Sequence, residues 1–278
     1  MIYTWKDGKQ LEVKNKTLIM GILNVTPDSF SDGGTWNTKE NAVLHTKDMI
    51  ADGADVIDVG AESTGPGCEM LTAEEEIDRL KIFLPSVLSV STVPVSVDTY
   101  HWKTADYMLN AGAHIVNDVW GFQYDRGEMA KVAASYDVPV ILMHNQLTEE
   151  YSNDIIEDLK CFLQKSVNIA LKVGVKEKNI ILDPGIGFAK DVNQNLEILQ
   201  RLDELTKAFP YPWLLGASRK RLVGAILNVP AKERDIGTGA IHLWGVLKGC
   251  SILRVHDVKT AAQLSKVWDI LKNNERLG

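Results

Sequence analysis

Eight short apolar segments, each followed by a stretch of helical periodicity, limit what this 278-residue chain can fold into. The segments span 18–25, 56–60, 93–98, 114–118, 139–144, 180–183, 213–217 and 252–255. The helical stretches lie at 38–51, 73–88, 103–111, 128–136, 155–173, 194–208, 236–248 and 260–273. Strands that are apolar on both faces belong to a parallel sheet covered on both sides, since a crossover helix must join each to the next. The count predicts a closed (β/α)8 barrel, with a doubly wound open sheet as the alternative that periodicity leaves standing. Residues 2–13 read as a β-hairpin, IYTW and QLEV about Lys6-Asp7-Gly8-Lys9, placed to cap the N-terminal end of the barrel. The expected organisation is one domain over 1–278, with 1–16 as a hairpin extension.

Composition removes several classes of function. A net charge of −7 argues against nucleic acid or an anionic membrane as the main partner. No apolar run is long enough to span a bilayer, and Met1-Ile2-Tyr3-Thr4-Trp5-Lys6 does not read as a signal peptide. Cys68, Cys161 and Cys250 have no metal-ligand spacing and cannot all pair, which predicts a reducing cytoplasm. Cys68 has no nearby histidine in the sequence and reads as an ordinary loop residue.

The polar residues cluster where strands end. In order these are Asn24, Glu62-Ser63-Thr64, Asp98-Thr99, Asn117-Asp118, Met143-His144-Asn145, Asp183-Pro184-Gly185, Ser218-Arg219-Lys220 and Arg254-Val255-His256-Asp257. One aspartate after a strand is ordinarily a cap or a turn residue. A full set at one face is how a barrel builds a small-molecule site. Asp98, Asn117, Asp183 and Lys220 offer two acceptors, an amide and a cation, the set that a flat heterocycle with an amidine-like edge and a carbonyl requires. Asn24, Arg254 and His256 suit a diphosphate, with a Mg2+ ion that keeps most of its waters. Gly185-Ile186-Gly187-Phe188 gives either close backbone approach with one aromatic, or a plain turn.

The run MGILNVTPDSFSDGG (20–34) passes from a strand into a polar, glycine-ended loop. With DGADVIDVG (52–60), SVDT (96–99), VNDV (116–119), ILMH (141–144), LDPGIGF (182–188), GASRKR (216–221) and RVHDV (254–258), it resembles the dihydropteroate synthases, block by block and in family order. That resemblance implies that Asp98, Asn117, Asp183, Lys220, Met143 and Phe188 hold a pterin. It implies that Asn24, Arg254 and His256 hold a diphosphate and its Mg2+, with Asn24 as the metal ligand. Phe30, Asp32, Thr64, Pro66, Ser218 and Arg221 would shape a p-aminobenzoate pocket. Lys220, Asp98, Asp183, Phe30 and Asp32 would form the catalytic set. The implied reaction joins a hydroxymethyl-dihydropterin diphosphate to p-aminobenzoate, releasing diphosphate. The resemblance also implies a homodimer through the last helices, for which 242–247 and 267–271 supply apolar, tryptophan-bearing stretches. His144 reads as a support for neighbouring groups, and His101, His114 and His242 as structural or exposed.

One position departs from the family. Its second loop ordinarily reads Glu-Ser-Thr-Arg-Pro-Gly, whereas this chain has Glu62-Ser63-Thr64-Gly65-Pro66-Gly67. The change removes a fixed cationic fork and the expected partner of Asp32. Three readings follow. Arg221 or Lys190 supplies the charge instead, or the site binds p-aminobenzoate and its sulfonamide mimics more weakly, or the chain is a pterin-binding paralogue without the synthase reaction. A methyl-transferring relative is a further rival, but it would not need the diphosphate set of Asn24, Arg254 and His256.

Overall fold

The computed structural model describes residues 1–13, 16–25, 38–61, 70–152 and 154–273. It opens with the hairpin β1 (Ile2–Thr4) and β2 (Gln10–Glu12), paired antiparallel with Tyr3 opposite Leu11. The parallel strands are β3 (Leu18–Asn24), β4 (Val56–Gly60), β5 (Val95–Asp98), β6 (Ile115–Asp118), β7 (Val140–Met143), β8 (Ile180–Asp183), β9 (Leu214–Leu215) and β10 (Ile252–Val255). Their spatial order is β8-β7-β6-β5-β4-β3-β10-β9, and a parallel bridge between Leu182 and Trp213 brings the two ends together. This is the predicted barrel rather than the open sheet.

Side-chain alternation along each strand sorts the residues into two compartments. Ile57 and Val59, Val95 and Val97, Val140 and Leu142, and Ile180 and Leu182 face outward and join the helix residues Leu80, Leu84 and Met108 in one apolar layer. Val56, Ile115, Ile141, Ile181, Leu214 and Ile252 face inward and form a plug with Leu18 and Met20. Tyr3, Leu11, Val13 and Trp5 of the hairpin region close that plug from below. Two residues further along the same inward faces stand Asp58, Asn117, Met143, Asp183, Gly216 and Arg254. The interior therefore changes from apolar to polar within one strand repeat, and this change creates the site.

The hairpin is tied on by more than apolar contact. Tyr3 donates its hydroxyl to the Lys178 carbonyl at 2.6 Å, and Trp5 Nε1 donates to the His114 carbonyl at 3.1 Å. His114, read from the sequence as structural or exposed, is buried; its Nδ1 accepts the Val95 N–H at 3.0 Å and its Nε2 lies 2.9 Å from the Asp7 carboxylate.

The helices are α1 (Lys39–Ala51), α2 (Ala73–Val90), α3 (Trp102–Asn110), α4 (Glu128–Tyr136), α5 (Ile155–Lys172), α6 (Val192–Gln200), α7 (Leu202–Thr206), α8 (Arg221–Leu227), α9 (Asp235–Leu247) and α10 (Val258–Asn273). Several starts are encoded locally. Thr72 with Glu75 and Asp191 with Gln194 form capping boxes on α2 and α6, and Asp154 accepts from Ile156 and Glu157 at the start of α5. The predicted helix 194–208 is two helices that break at Arg201, where φ is −102° and ψ 15°. Neither glycine nor proline marks that break, and Leu202 and Leu205 stay buried across it. Helix α8 was not expected, because Gly224 interrupts a short apolar run; the Arg234 guanidinium fills the space that a side chain at 224 would occupy. Strand β9 is shorter than the predicted 213–217 because Gly216 and Ala217 turn into the Lys220 loop, whose N–H reaches the Ala217 carbonyl. No helix among the described residues is long and apolar enough to cross a membrane.

Candidate active site

The inward polar residues meet directly above the apolar plug. Arg254 Nε donates to Asp58 Oδ2 at 2.6 Å, and its Nη2 donates to Asp98 Oδ2 at 2.5 Å. Asn117 Nδ2 donates to the same Asp58 oxygen at 3.1 Å. Two carboxylates on β4 and β5 are thus gathered by one guanidinium from β10, and Asn117 on β6 joins them through Asp58. Burial alone would lower the Arg254 pKa, but the charges of Asp58 and Asp98 outweigh it and raise it. Asp58 is fully buried, and its Oδ1 has no hydrogen-bond partner among the described residues. Such an acceptor is costly unless a ligand donor meets it. Asp58 is not among the strand-end residues because it lies inside β4 rather than at its end. Its signal was present: Asp58 shares the inward parity of Val56.

Asp183 and Lys220 face each other across the ring's last join. Asp183 accepts the Gly185 N–H at 2.7 Å, and burial pushes its pKa up to about 6. Burial, reinforced by Arg254, pulls Lys220 down to about 8. The Lys220 ammonium sits 3.9 Å from the centroid of the Phe188 ring. Phe188 and Trp120 pack against buried Tyr100, Val119 and Met143, so one wall of the mouth is apolar and aromatic. The cation and the ring are in direct contact, so the ammonium caps the aromatic wall. Asn24 ends β3 opposite Gly60, and a Cβ built on Gly60 would lie 3.8 Å from its Oδ1 and 3.6 Å from Asp98 Oδ2.

The loop after β9 is held rigidly. Arg219 has φ 56° and forms two 2.8 Å hydrogen bonds to Asp235, while Arg234 donates to the Arg219 carbonyl at 3.0 Å. Ser218 Oγ lies 2.9 Å from His256 Nδ1 and accepts the His256 backbone N–H at 3.1 Å. The residues expected for p-aminobenzoate and for diphosphate therefore touch. Arg221 is exposed at the first position of α8. Phe30, Asp32, Thr64, Pro66 and Gly65 lie outside the described residues.

Two further buried polar groups surround the pocket. Asp118 has the outward parity and accepts from Trp120 and Phe122 N–H at 2.8 and 2.7 Å, so it builds the loop rather than the site. Burial raises it to about 7. Lys190 is buried, and its ammonium is taken up by His144 Nδ1 and by the carbonyls of Gly185 and Phe188. Lys190 therefore does not stand in for the missing loop arginine. His144 is a support, as expected; burial and the neighbouring ammonium hold its pKa down to about 2. No cluster of three or more His, Cys, Asp or Glu side chains with metal-holding geometry occurs among the described residues.

A family model described as pterin binding enzyme matches residues 20–256. The chain belongs to the pterin-binding enzyme family. Within it, a dihydropteroate synthase of Bacillus subtilis is 50% identical over 263 residues, covering 95% of this chain and 91% of that one. The solved dihydropteroate synthase of Clostridium difficile, obtained in the presence of pteroic acid, is 44% identical with a TM-score of 0.90 and covers 94% of this chain and 98% of its own. A Xanthomonas albilineans dihydropteroate synthase with 4-aminobenzoic acid is 34% identical, TM-score 0.89, covering 96% of each chain. The pterin-binding enzyme match begins at Met20, inside β3, and ends at His256, just after β10. It thus takes in the barrel's polar face and leaves out the hairpin.

Proposed function

We propose that this protein is a dihydropteroate synthase, which condenses 6-hydroxymethyl-7,8-dihydropterin diphosphate with p-aminobenzoate to give 7,8-dihydropteroate and diphosphate. The observation that carries the reading is the interior ring of Asp58, Asp98, Asn117, Asp183, Lys220 and Arg254 above a sealed apolar plug. Asp98, Asn117 and Asp183 take the donor-rich edge of the pterin, Lys220 meets its ring acceptors, and Met143 and Phe188 lie against its face. Relatives about half identical along most of the chain favour the synthase over a paralogue lacking the reaction.

The chemistry follows from charge. As the bond between the pterin methylene and the diphosphate oxygen stretches, the electron pair leaves with diphosphate and positive charge grows on the pterin. Asp98 and Asp183 favour that charge, and Arg254, His256 and Asn24 receive the leaving group. The aniline nitrogen of p-aminobenzoate then forms the new bond and loses its proton. Phe30, Asp32, Thr64, Pro66, Ser218 and Arg221 hold that second substrate, and Phe30 and Asp32 complete the catalytic set with Lys220.

Mg2+ fits the donor chemistry at Asn24. One neutral amide oxygen beside Asp98 does not make a cage, but Mg2+ bound with substrate phosphates takes only one or two protein oxygens and keeps its waters. When bound it neutralises charge on the departing diphosphate.

The functional unit in this reading is one barrel domain with the hairpin as an extension, working as a cytoplasmic homodimer. Exposed Ile236, Trp244 and Leu247 on α9 and Val267 and Leu271 on α10 support a partner face, and free Cys161 and Cys250 support a reducing compartment. Steady-state turnover with both substrates tests the reaction: diphosphate release that depends on p-aminobenzoate is expected. Pterin binding with no such release would leave the paralogue. Light scattering tests the dimer.

A further inference from the structure

Lys190 is a buried cation whose hydrogen bonds reach no side chain assigned to the substrates. It is 5% exposed, and its hydrogen-bond partners are His144 Nδ1 at 2.9 Å and the carbonyls of Gly185 at 2.9 Å and Phe188 at 2.8 Å. An ammonium with three N–H groups has all three occupied, and none of these partners is a carboxylate. A buried charge without a hydrogen-bonded counter-ion is costly, and methionine would fill the same volume without that cost. The ammonium must therefore hold something that an apolar side chain cannot.

We propose that Lys190 is the positioning residue of the pterin site: it fixes the Gly185–Phe188 turn from beneath and so sets the Phe188 ring against Lys220. This rests on the synthase reading. The turn needs such a tether. Gly185 and Gly187 have φ of 69° and 82°, so the backbone there lies in the left-handed region that glycine occupies most freely. A Cβ at Gly187 would come within 2.8 Å of the Lys220 stem, and one at Gly185 would collide with the His144 carbonyl. The turn is thus pressed between β7 and Lys220, with no side chain of its own at either glycine.

Lys190 supplies the link from within. It draws the two carbonyls inward, while Asn195 accepts the Gly187 N–H at 2.7 Å and donates to the Lys190 carbonyl at 3.1 Å. His144 completes the tether. Its Nδ1 lies 2.9 Å from Lys190 Nζ, and its backbone N–H donates to the Asp183 carbonyl at 3.1 Å. Lys190, His144, Asp183, Phe188 and Lys220 therefore form one continuous support, of which only the last three reach the pterin.

The test uses Lys190→Met, which keeps the volume, and Lys190→Ala, which leaves room for propylammonium to replace the missing atoms. Pteroate binding is read by calorimetry, and the KM for each substrate is measured separately. Both variants should bind pteroate about tenfold more weakly or worse and raise the KM for the pterin diphosphate, leaving the KM for p-aminobenzoate unchanged. Propylammonium should restore Lys190→Ala, whereas trimethylpropylammonium, which has no N–H, should not. Unchanged pterin affinity, equal losses for both substrates, no rescue by propylammonium, or equal rescue by trimethylpropylammonium would overturn the proposal. Failure of both variants to fold would make the residue a structural one and overturn it too. Wild-type protein that does not bind pteroate would instead defeat the synthase reading.

Discussion

Arg254 on β10 and Asp58 on β4 meet across the intervening strand β3, with the guanidinium Nε 2.6 Å from a carboxylate that is wholly buried. The pair converts what would be a layer of apolar filling into a charged floor directly above the apolar plug. Asp98 takes the second arm of the guanidinium, so Arg254 keeps one counter-ion if Asp58 is lost.

Replacing Asp58 with asparagine keeps the shape and removes the charge. Because Asp98 still holds one arm of Arg254, the loss should fall at the lower end of the range for breaking a buried pair, about 3 kcal/mol in urea unfolding. Pteroate affinity should drop with it. Unfolding at the wild-type midpoint would show that the pair contributes nothing to the fold.

Asp183 and Lys220 should set the pH range of pterin binding. Asp183 accepts hydrogen bonds fully only when ionised, and Lys220 is a cation only when protonated. With burial placing them at about 6 and about 8, affinity for pteroate should fall as the pH drops below the first value and as it rises above the second. Asp183→Ala should abolish binding. An undiminished dissociation constant for that variant would remove Asp183 from the pocket.

The hairpin makes a separate prediction. Burial opposes the Asp7 charge, but hydrogen bonds from Lys9 and His114 outweigh it and lower the Asp7 pKa. A carboxyl with a depressed folded-state pKa adds stability above its unfolded value and loses it as the pH falls through the folded one. The melting temperature of Asp7→Asn should therefore lie below wild type at neutral pH, and the gap should narrow as the pH falls below about 4. A gap independent of pH would assign the effect to packing.

In the proposed reading, glycine at 65 removes a cation expected near p-aminobenzoate, and Lys190 is committed elsewhere. Arg221, exposed at the mouth beside Lys220, is the remaining candidate. Arg221→Ala should raise the KM for p-aminobenzoate more with glycine at 65 than in a Gly65→Arg background. Equal effects in both backgrounds would show that the two positions are independent.

Most of the barrel was legible because apolar strands and amphipathic helices differ in period, and the strand-end residues Asp98, Asn117, Asp183 and Lys220 are brought to one face. What escaped notice had other causes. Asp58 sits mid-strand among apolar neighbours, and only parity with Val56 betrays its direction. Lys190 bonds chiefly to backbone carbonyls, which carry no residue-specific signal. The break at Arg201 has no glycine or proline to announce it, and α8 is too short and too interrupted to show a period.

The closure of the ring has a consequence for the substrate itself. Between β8 and β9 the sheet is joined by the isolated bridge from Leu182 to Trp213, and Asp183 and Lys220 stand on opposite sides of that join. A pterin gripped by both residues, as proposed, would act as a clasp over this thinly bridged margin of the barrel. Occupancy would then tighten the whole hoop, and hydrogen exchange along β8 and β9 should slow when the ligand arrives.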